Sequence, residues 1–280
     1  MLFGAMVAMG IQNGNRGKDD SETDFGPVVP FYSGRAPYVT EFFRTVVSTL
    51  ALQRDGFIMD FACGTGELAC GFSPYCRAIL GLDKSEAMIS ACPKDLANVS
   101  FKQVDLNSDL LAISELADLV VIGRAIHLLR RESLLAKLEY VTKKGATVLV
   151  CGAGLTRDNP WFEPYRTLLG RYGFAGLKAE RSLGLDVFVG TPWLPSITDI
   201  VVYSQMKWSV RDLLRHGLSY SSCSTEILNA RDMFESELER ILAPHFDGSK
   251  HVDAKLVNWS MPYMRSGADR AGAHQQVSKM

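Results

Sequence analysis

No stretch of the 280-residue chain holds 18 consecutive apolar residues, so its sequence writes no membrane-spanning helix. It has no basic excess either. Lys+Arg is 30 against Asp+Glu 31, a net charge of −1, whereas a chain that clamps phosphates usually carries a positive surplus. A nucleic-acid partner is therefore not expected. The six cysteines (Cys63, Cys70, Cys76, Cys92, Cys151, Cys223) include no C-x-x-C pair, so no metal site is expected. Reduced, mostly buried thiols and a cytoplasmic location fit this usage. The apolar start, Met1–Gly10, lacks a basic flank and runs into polar Asn13–Asp24 without a cleavage site. Residues 1–24 are read as a disordered start rather than a secretory leader, and polar 266–280 as a disordered tail.

What is present is a cadence. From Phe57 onward, short apolar runs alternate with helical patterns. Ile58–Ala62, Ala78–Leu82, Val99–Val104, Asp118–Ile122 and Ala146–Cys151 read as strands. Glu67–Tyr75, Ser85–Ala91 (capped by Ser85) and Arg131–Val141 read as the helices between them. Repeated strand–helix units predict a doubly wound, mostly parallel sheet. No shorter internal repeat competes with this cadence. The second half differs. Trp161–Tyr172, Arg211–Leu218 and Arg231–Leu242 read as helices. Asp199–Ser209 and Ala254–Met261 read as two late strands with an inserted cover between them.

Asp60-Phe61-Ala62-Cys63-Gly64-Thr65-Gly66-Glu67 places glycines between a strand and a helix, where backbone amides can approach a ligand closely. Gly64 to Ala69 satisfies G-x-G-x-x-G/A, with Asp83 19 residues after Gly64, which is formally a nicotinamide dinucleotide fingerprint. Two features oppose that reading. Asp60 ends the strand four residues before Gly64, where a dinucleotide fold runs apolar residues into its first glycine. Asp105 ends a third strand with an acid that a dinucleotide does not require.

Together these segments resemble class I S-adenosylmethionine (SAM)-dependent methyltransferases, of the broad small-molecule subgroup that includes ubiquinone-type and trans-aconitate-type enzymes. Asp60 to Gly66 is similar to the family's first motif, with Ala62 where a glycine is common. Asp83, in Gly81-Leu82-Asp83-Lys84-Ser85-Glu86-Ala87-Met88, resembles the ribose-binding acid, and Met88 the apolar residue packed on adenine. Val104-Asp105-Leu106 resembles the adenine motif. Ala117 to His127 resembles the strand-four motif beside the methyl group. Phe31-Tyr32-Ser33-Gly34-Arg35-Ala36-Pro37-Tyr38 resembles the N-terminal lid, with Tyr32 and Arg35 matching.

The resemblance covers Phe31 to about Met261 and implies a Rossmann-like, seven-stranded sheet, mostly parallel with an antiparallel closing strand, plus a helical cover insertion. It implies one methyltransferase domain over 25–265, with cover segments at about 25–50, 156–197 and 210–245. The cofactor would be SAM and the product S-adenosylhomocysteine (SAH), held by Tyr32, Arg35, Ala62, Cys63, Gly64, Gly66, Asp83, Lys84, Met88, Asp105, Leu106 and Gly123. The implied function is methyl transfer to an N or O atom of a small-molecule metabolite, in a setting such as specialised biosynthesis, by a monomer or homodimer.

His127 is either a general base, since imidazole titrates near neutral pH, or a group that orients the cofactor. Arg124 stands where relatives often carry a neutral polar residue; it is either a substrate anchor or half of a salt bridge to a lid acid. Trp161, Tyr165, Trp193 and Trp208 are candidates for an acceptor pocket, with core packing the plainer role. His216, His245, His251 and His274 show no ligand spacing and are assigned to surface or helix-end roles. An NAD(P)-dependent oxidoreductase and a non-catalytic SAM-fold binding protein are the alternatives.

Overall fold

Alternation along four strands decides the architecture. In β1 (Phe57–Phe61), β2 (Ala78–Asp83), β4 (Ala117–Gly123) and β5 (Thr142–Leu155), successive side chains point to opposite sheet faces, and both faces are apolar. Ile58, Ile79, Leu119, Val121 and Leu149 fall on one face, with Phe42, Phe43 and Phe72 packed on them. Met59, Phe61, Val120, Ile122, Val148 and Val150 fall on the other, beneath Leu134, Leu138 and Val141. The first cover comes from α1 (Thr40–Thr49) and α2 (Glu67–Phe72), the second from α4 (Arg131–Val141). In α4 the buried residues recur at i, i+4 and i+7, one stripe of the helix. Burial of each such aliphatic side chain contributes roughly 1.5–3 kcal/mol.

The computed structural model describes residues 25–174, 185–196 and 198–266. The expected disordered stretches are 1–24 and 266–280; all of them but Ser266 lie outside the described residues, as does His274. With β3 (Val99–Gln103), the sheet order is β3-β2-β1-β4-β5, all parallel, then β8 (Val252–Arg265) antiparallel to β5. The other edge of β8 is shared by β7 (Ile200–Trp208) and the short β6 (Trp193–Pro195). Both run antiparallel to β8, so β8 alone opposes the rest. Eight strands stand where seven were expected; the extra one is the three-residue β6, too short to show alternation and ended by a proline. β5 is longer than its apolar run because Thr142–Gly145 bulges, with Gly145 at φ +83°. Among the described residues no helix is long and apolar enough to cross a membrane.

Helices α5 (Phe162–Arg171), α6 (Val210–Leu218), α7 (Ser224–Asn229) and α8 (Arg231–Leu242) form the cover. They enclose their own apolar cluster around Trp161, Leu213, Phe234 and Leu238. Ser209 and Asp212 start α6 with a reciprocal capping box. Helices α1 and α7 carried no sequence expectation of their own. Trp161, Tyr165 and Trp208 pack in the cover cluster and Trp193 under the sheet, so core packing is their role.

His216 corrects its assignment. It lies in the last turn of α6, but only 4% of it is exposed. Its Nδ1 is 2.9 Å from the Tyr165 hydroxyl, which donates to the Leu213 carbonyl at 2.9 Å; its Nε2 is 3.2 Å from the Tyr220 hydroxyl. Because the Tyr165 proton is used on Leu213, Nδ1 donates to Tyr165 and Nε2 accepts from Tyr220.

Burial pushes the His216 pKa down to about 3, with Arg35 and Arg124 adding to the effect. Burial also raises Asp60 to about 8. The signs are opposite. Below pH 6.5 the unfolded His216 takes up a proton that the folded one refuses, so its stabilisation is lost as pH falls. Above pH 4 the unfolded Asp60 ionises while the folded one stays neutral, so its stabilisation is lost as pH rises. Urea unfolding of the wild type and Asp60→Asn across pH 4–8 checks this. The stability difference between them, wild type minus variant, should fall by about 1.4 kcal/mol per pH unit. A pH-independent difference would mean that Asp60 is ionised in the folded protein.

Candidate cofactor and acceptor site

The carboxyl ends of parallel strands are where a doubly wound sheet leaves a crevice. Here the ends of β1 to β4 open into a cavity of about 510 Å³. Twelve of the fourteen candidate residues line it: Tyr32, Arg35, Ala62, Gly64, Asp83, Lys84, Met88, Asp105, Leu106, Gly123, Arg124 and His127. Cys63 and Gly66 do not. The Cys63 thiol turns inward, 3.6 Å from the Gly64 carbonyl oxygen, which Cys92 Sγ also approaches at 3.4 Å. Gly66 caps α2 at φ +82°, and a Cβ there would lie 2.6 Å from the Phe101 ring; it is a packing glycine.

The loop after β1 is held in a conformation that L-residues avoid. Gly64 has φ +55° and Ala62 φ +54°. A left-handed alanine costs roughly 1–2 kcal/mol, and a β-branched side chain costs more. Ala62→Val should therefore lower stability by about 2 kcal/mol, while Ala62→Gly holds or raises it; thermal melts of the pair test this.

Asp83, at the end of β2, bridges two elements. Its Oδ2 accepts from the Gly64 amide at 2.8 Å and its Oδ1 from the Ser85 amide at 2.9 Å. Burial raises its pKa, and the Ser85 and Gly64 amides oppose the rise. The Lys84 amide also bonds the carboxylate. Ser85 caps α3 (Glu86–Ser90), which brings buried Met88 to the cavity wall. After β3, Asp105 turns on itself: Oδ1 accepts from the Asn107 amide at 2.8 Å and Oδ2 from Ser108 Oγ at 3.1 Å. Asn107 ties this loop to the next. Its Nδ2 donates to the Leu128 carbonyl at 3.0 Å, and its Oδ1 accepts from the Arg130 amide at 2.7 Å.

The lid is the 3-10 segment Gly26–Gly34 and the residues after it. Tyr32 lies over the glycine loop; a Cβ on Gly64 would be 3.4 Å from its ring and hydroxyl. The Arg35 guanidinium sits 4.2 Å from the Tyr220 ring centroid and 5.5 Å from that of Tyr32, and donates to the Ser219 carbonyl at 2.9 Å. Its Nε–H is buried without a partner among the described residues.

Arg124, at φ +56°, pairs with Glu67, donates to the Ala36 carbonyl at 2.9 Å, and lies 4.8 Å from the Tyr38 ring centroid. The acid is on α2, not on the lid as expected; the lid contributes a carbonyl and a ring. Glu67 also accepts from the Tyr38 amide, and buried Asn258 on β8 holds Pro37 and Val39, so residues 36–39 are clamped on every side. His127 is exposed on the turn after β4 and faces the cavity.

Phe174, Tyr220, Ser221, Ser222, Leu128 and Leu129 also line the cavity, and none was anticipated. Leu128 and Leu129 follow the strand-four motif directly, whereas Phe174, Tyr220, Ser221 and Ser222 belong to no motif and reach the site because the cover folds over it.

Residues 58–145 match the family model described as a methyltransferase domain. That segment is a methyltransferase domain. It is 22% identical over 236 residues to the uncharacterized methyltransferase C70.08c of Schizosaccharomyces pombe, an overlap of 70% of this chain and 90% of that protein. It is 31% identical over 90 residues to C1347.09 of the same yeast, also an uncharacterized methyltransferase, covering 32% of this chain and 30% of the relative. Among solved structures, a proposed type II methyltransferase from Anaeromyxobacter dehalogenans has the same fold. Its TM-score is 0.62 at 18% identity, over 82% of this chain and 97% of that one. The shared fold thus extends well beyond the matched segment.

Proposed function

We propose that this methyltransferase moves the methyl group of SAM to an N or O atom of a small-molecule metabolite. The observation that carries this is the convergence of Gly64, Asp83 and Asp105, from the ends of three adjacent strands, on one cavity roofed by Tyr32 and Arg35. SAM supplies a methyl group on a cationic sulfur, already an electrophile, so the protein's part is placement and exclusion of water. The unpartnered Arg35 Nε–H fits a carboxylate such as that of the methionine moiety. The Asp83 carboxylate, an acceptor at the end of β2, fits the ribose hydroxyls. Met88 and Leu106 give apolar faces for adenine, and Asp105 an acceptor for its amino group. Lys84, Ala62 and Gly123 complete the cradle.

On this reading Arg124 is not the substrate anchor. Its guanidinium is engaged by Glu67, Ala36 and Tyr38, so it fixes the lid base to the glycine-loop helix. His127 is the group placed to take a proton from the acceptor. His127→Ala should lower kcat by about 100-fold and leave SAH affinity within about twofold, measured by turnover and by calorimetry. Equal losses in both would make it an orienting residue. Thermal shift tests the whole reading: SAH at about 100 times its Kd should add about 2.7 kcal/mol, visible as a raised Tm, whereas NADH should not shift it. Stabilisation by NADH alone would restore the oxidoreductase alternative.

A further inference from the structure

The cover's share of the cavity wall has a chemistry of its own. Phe174 and Tyr220 meet there with ring centroids 4.7 Å apart, next to Ser221 and Ser222, and the strand-four loop adds Leu128 and Leu129. Among the described residues no carboxylate comes with them. Among the described lining residues the only acids are Asp83 and Asp105, whose four oxygens already accept from amides or a hydroxyl of the strand-end loops. The cationic lining side chains are Arg35, Lys84 and Arg124. Arg124 is paired with Glu67, so an ammonium acceptor would enter beside Arg35 and Lys84 and, among the described lining residues, without a carboxylate of its own, a costly burial. A flat apolar molecule that sheds a proton would meet aromatic faces, a favourable field and an imidazole.

We infer that the methyl acceptor is a planar aromatic molecule bearing an acidic hydroxyl, seated against Phe174 and Tyr220 with its oxygen toward His127. This rests on the methyltransferase reading above and names its acceptor class. The step balances simply. The acceptor's O–H bond breaks and its proton passes to the His127 imidazole. The new O–CH₃ bond forms as the S–CH₃ bond of the donor breaks with its electron pair kept on sulfur, leaving an aryl methyl ether, a neutral thioether and one proton. The seat is held from behind: Tyr220 gives its hydroxyl proton to His216, and Arg35 lies over its ring.

The experiment titrates SAH-loaded protein by calorimetry with 2-naphthol, cyclohexylamine and cyclohexanecarboxylate, and separately follows SAH release and product mass with SAM and each compound. The expected result is that 2-naphthol binds at least about tenfold more tightly than either comparator and is O-methylated. Phe174→Ala should weaken naphthol binding by about tenfold, leaving SAH affinity within about twofold. Preferential binding or methylation of the amine or the alkyl carboxylate would overturn the inference and leave the methyltransferase intact. Naphthol affinity unchanged in Phe174→Ala would overturn the seat. Failure of SAH itself to bind would remove the underlying reading, and this one with it.

Discussion

Replacing Asp83 by alanine should raise the dissociation constant for SAH by about 100- to 1,000-fold. Two hydrogen bonds to a charged acceptor are at stake, each worth about 1.5–3 kcal/mol, and each 1.4 kcal/mol is a factor of ten. Part of the loss comes through the protein, since Asp83 also holds the Gly64 amide and the start of α3. Asp83→Asn separates the two contributions. Its remaining oxygen can still brace one amide, but its NH₂ group cannot accept from a ribose hydroxyl, so its affinity should fall between wild type and alanine. Calorimetry gives the constants, and far-UV circular dichroism checks that the fold is retained. An unchanged constant in the alanine variant would remove Asp83 from the cofactor site.

Glu67→Ala should cost about 3 kcal/mol of stability, a fall in Tm of roughly 6–12 °C. Arg124 is the more enclosed partner, with 16% of its side chain exposed against 32% for Glu67. Removing the acid leaves a mostly buried guanidinium without its counter-charge and the Tyr38 amide without its acceptor. Arg124→Ala should cost less, because Glu67 can turn toward water. The double variant should then recover part of the Glu67→Ala loss, a coupling that thermal melts read directly. Equal, additive losses would show that the pair is not coupled. Because the same contacts fix residues 36–39, Glu67→Ala should also weaken SAH binding through the lid.

The cradle was legible in the sequence because each part of it is local. A strand, a glycine turn and an acid at the next strand end are all read within a few residues, and such short motifs place Gly64, Asp83, Met88 and Asp105 on one wall. Helices Arg131–Val141 and Arg231–Leu242 were legible to the residue, since their buried apolar residues recur at helical spacing. The acceptor wall was not. Phe174 and Tyr220 lie 46 residues apart in the chain and meet only through cover packing, which has no periodic signature. His216 misled for a related reason: a histidine on a short amphipathic helix looks like a surface residue until Tyr165 and Tyr220 are folded against it. Arg124 was seen as a departure, but its partner sits on α2, 57 positions earlier, where no spacing rule reaches. Cys63 and Gly66 are in that motif but do not line the cavity, because the Cys63 thiol turns inward and Gly66 packs against Phe101.

A crystal structure of the protein with SAH tests the central claim most directly. The prediction is adenine between Met88 and Leu106, both ribose hydroxyls on Asp83, and the carboxylate against Arg35 Nε, with the sulfur facing His127. SAH density elsewhere on the molecule, or in this cavity with its ribose away from Asp83, would contradict it.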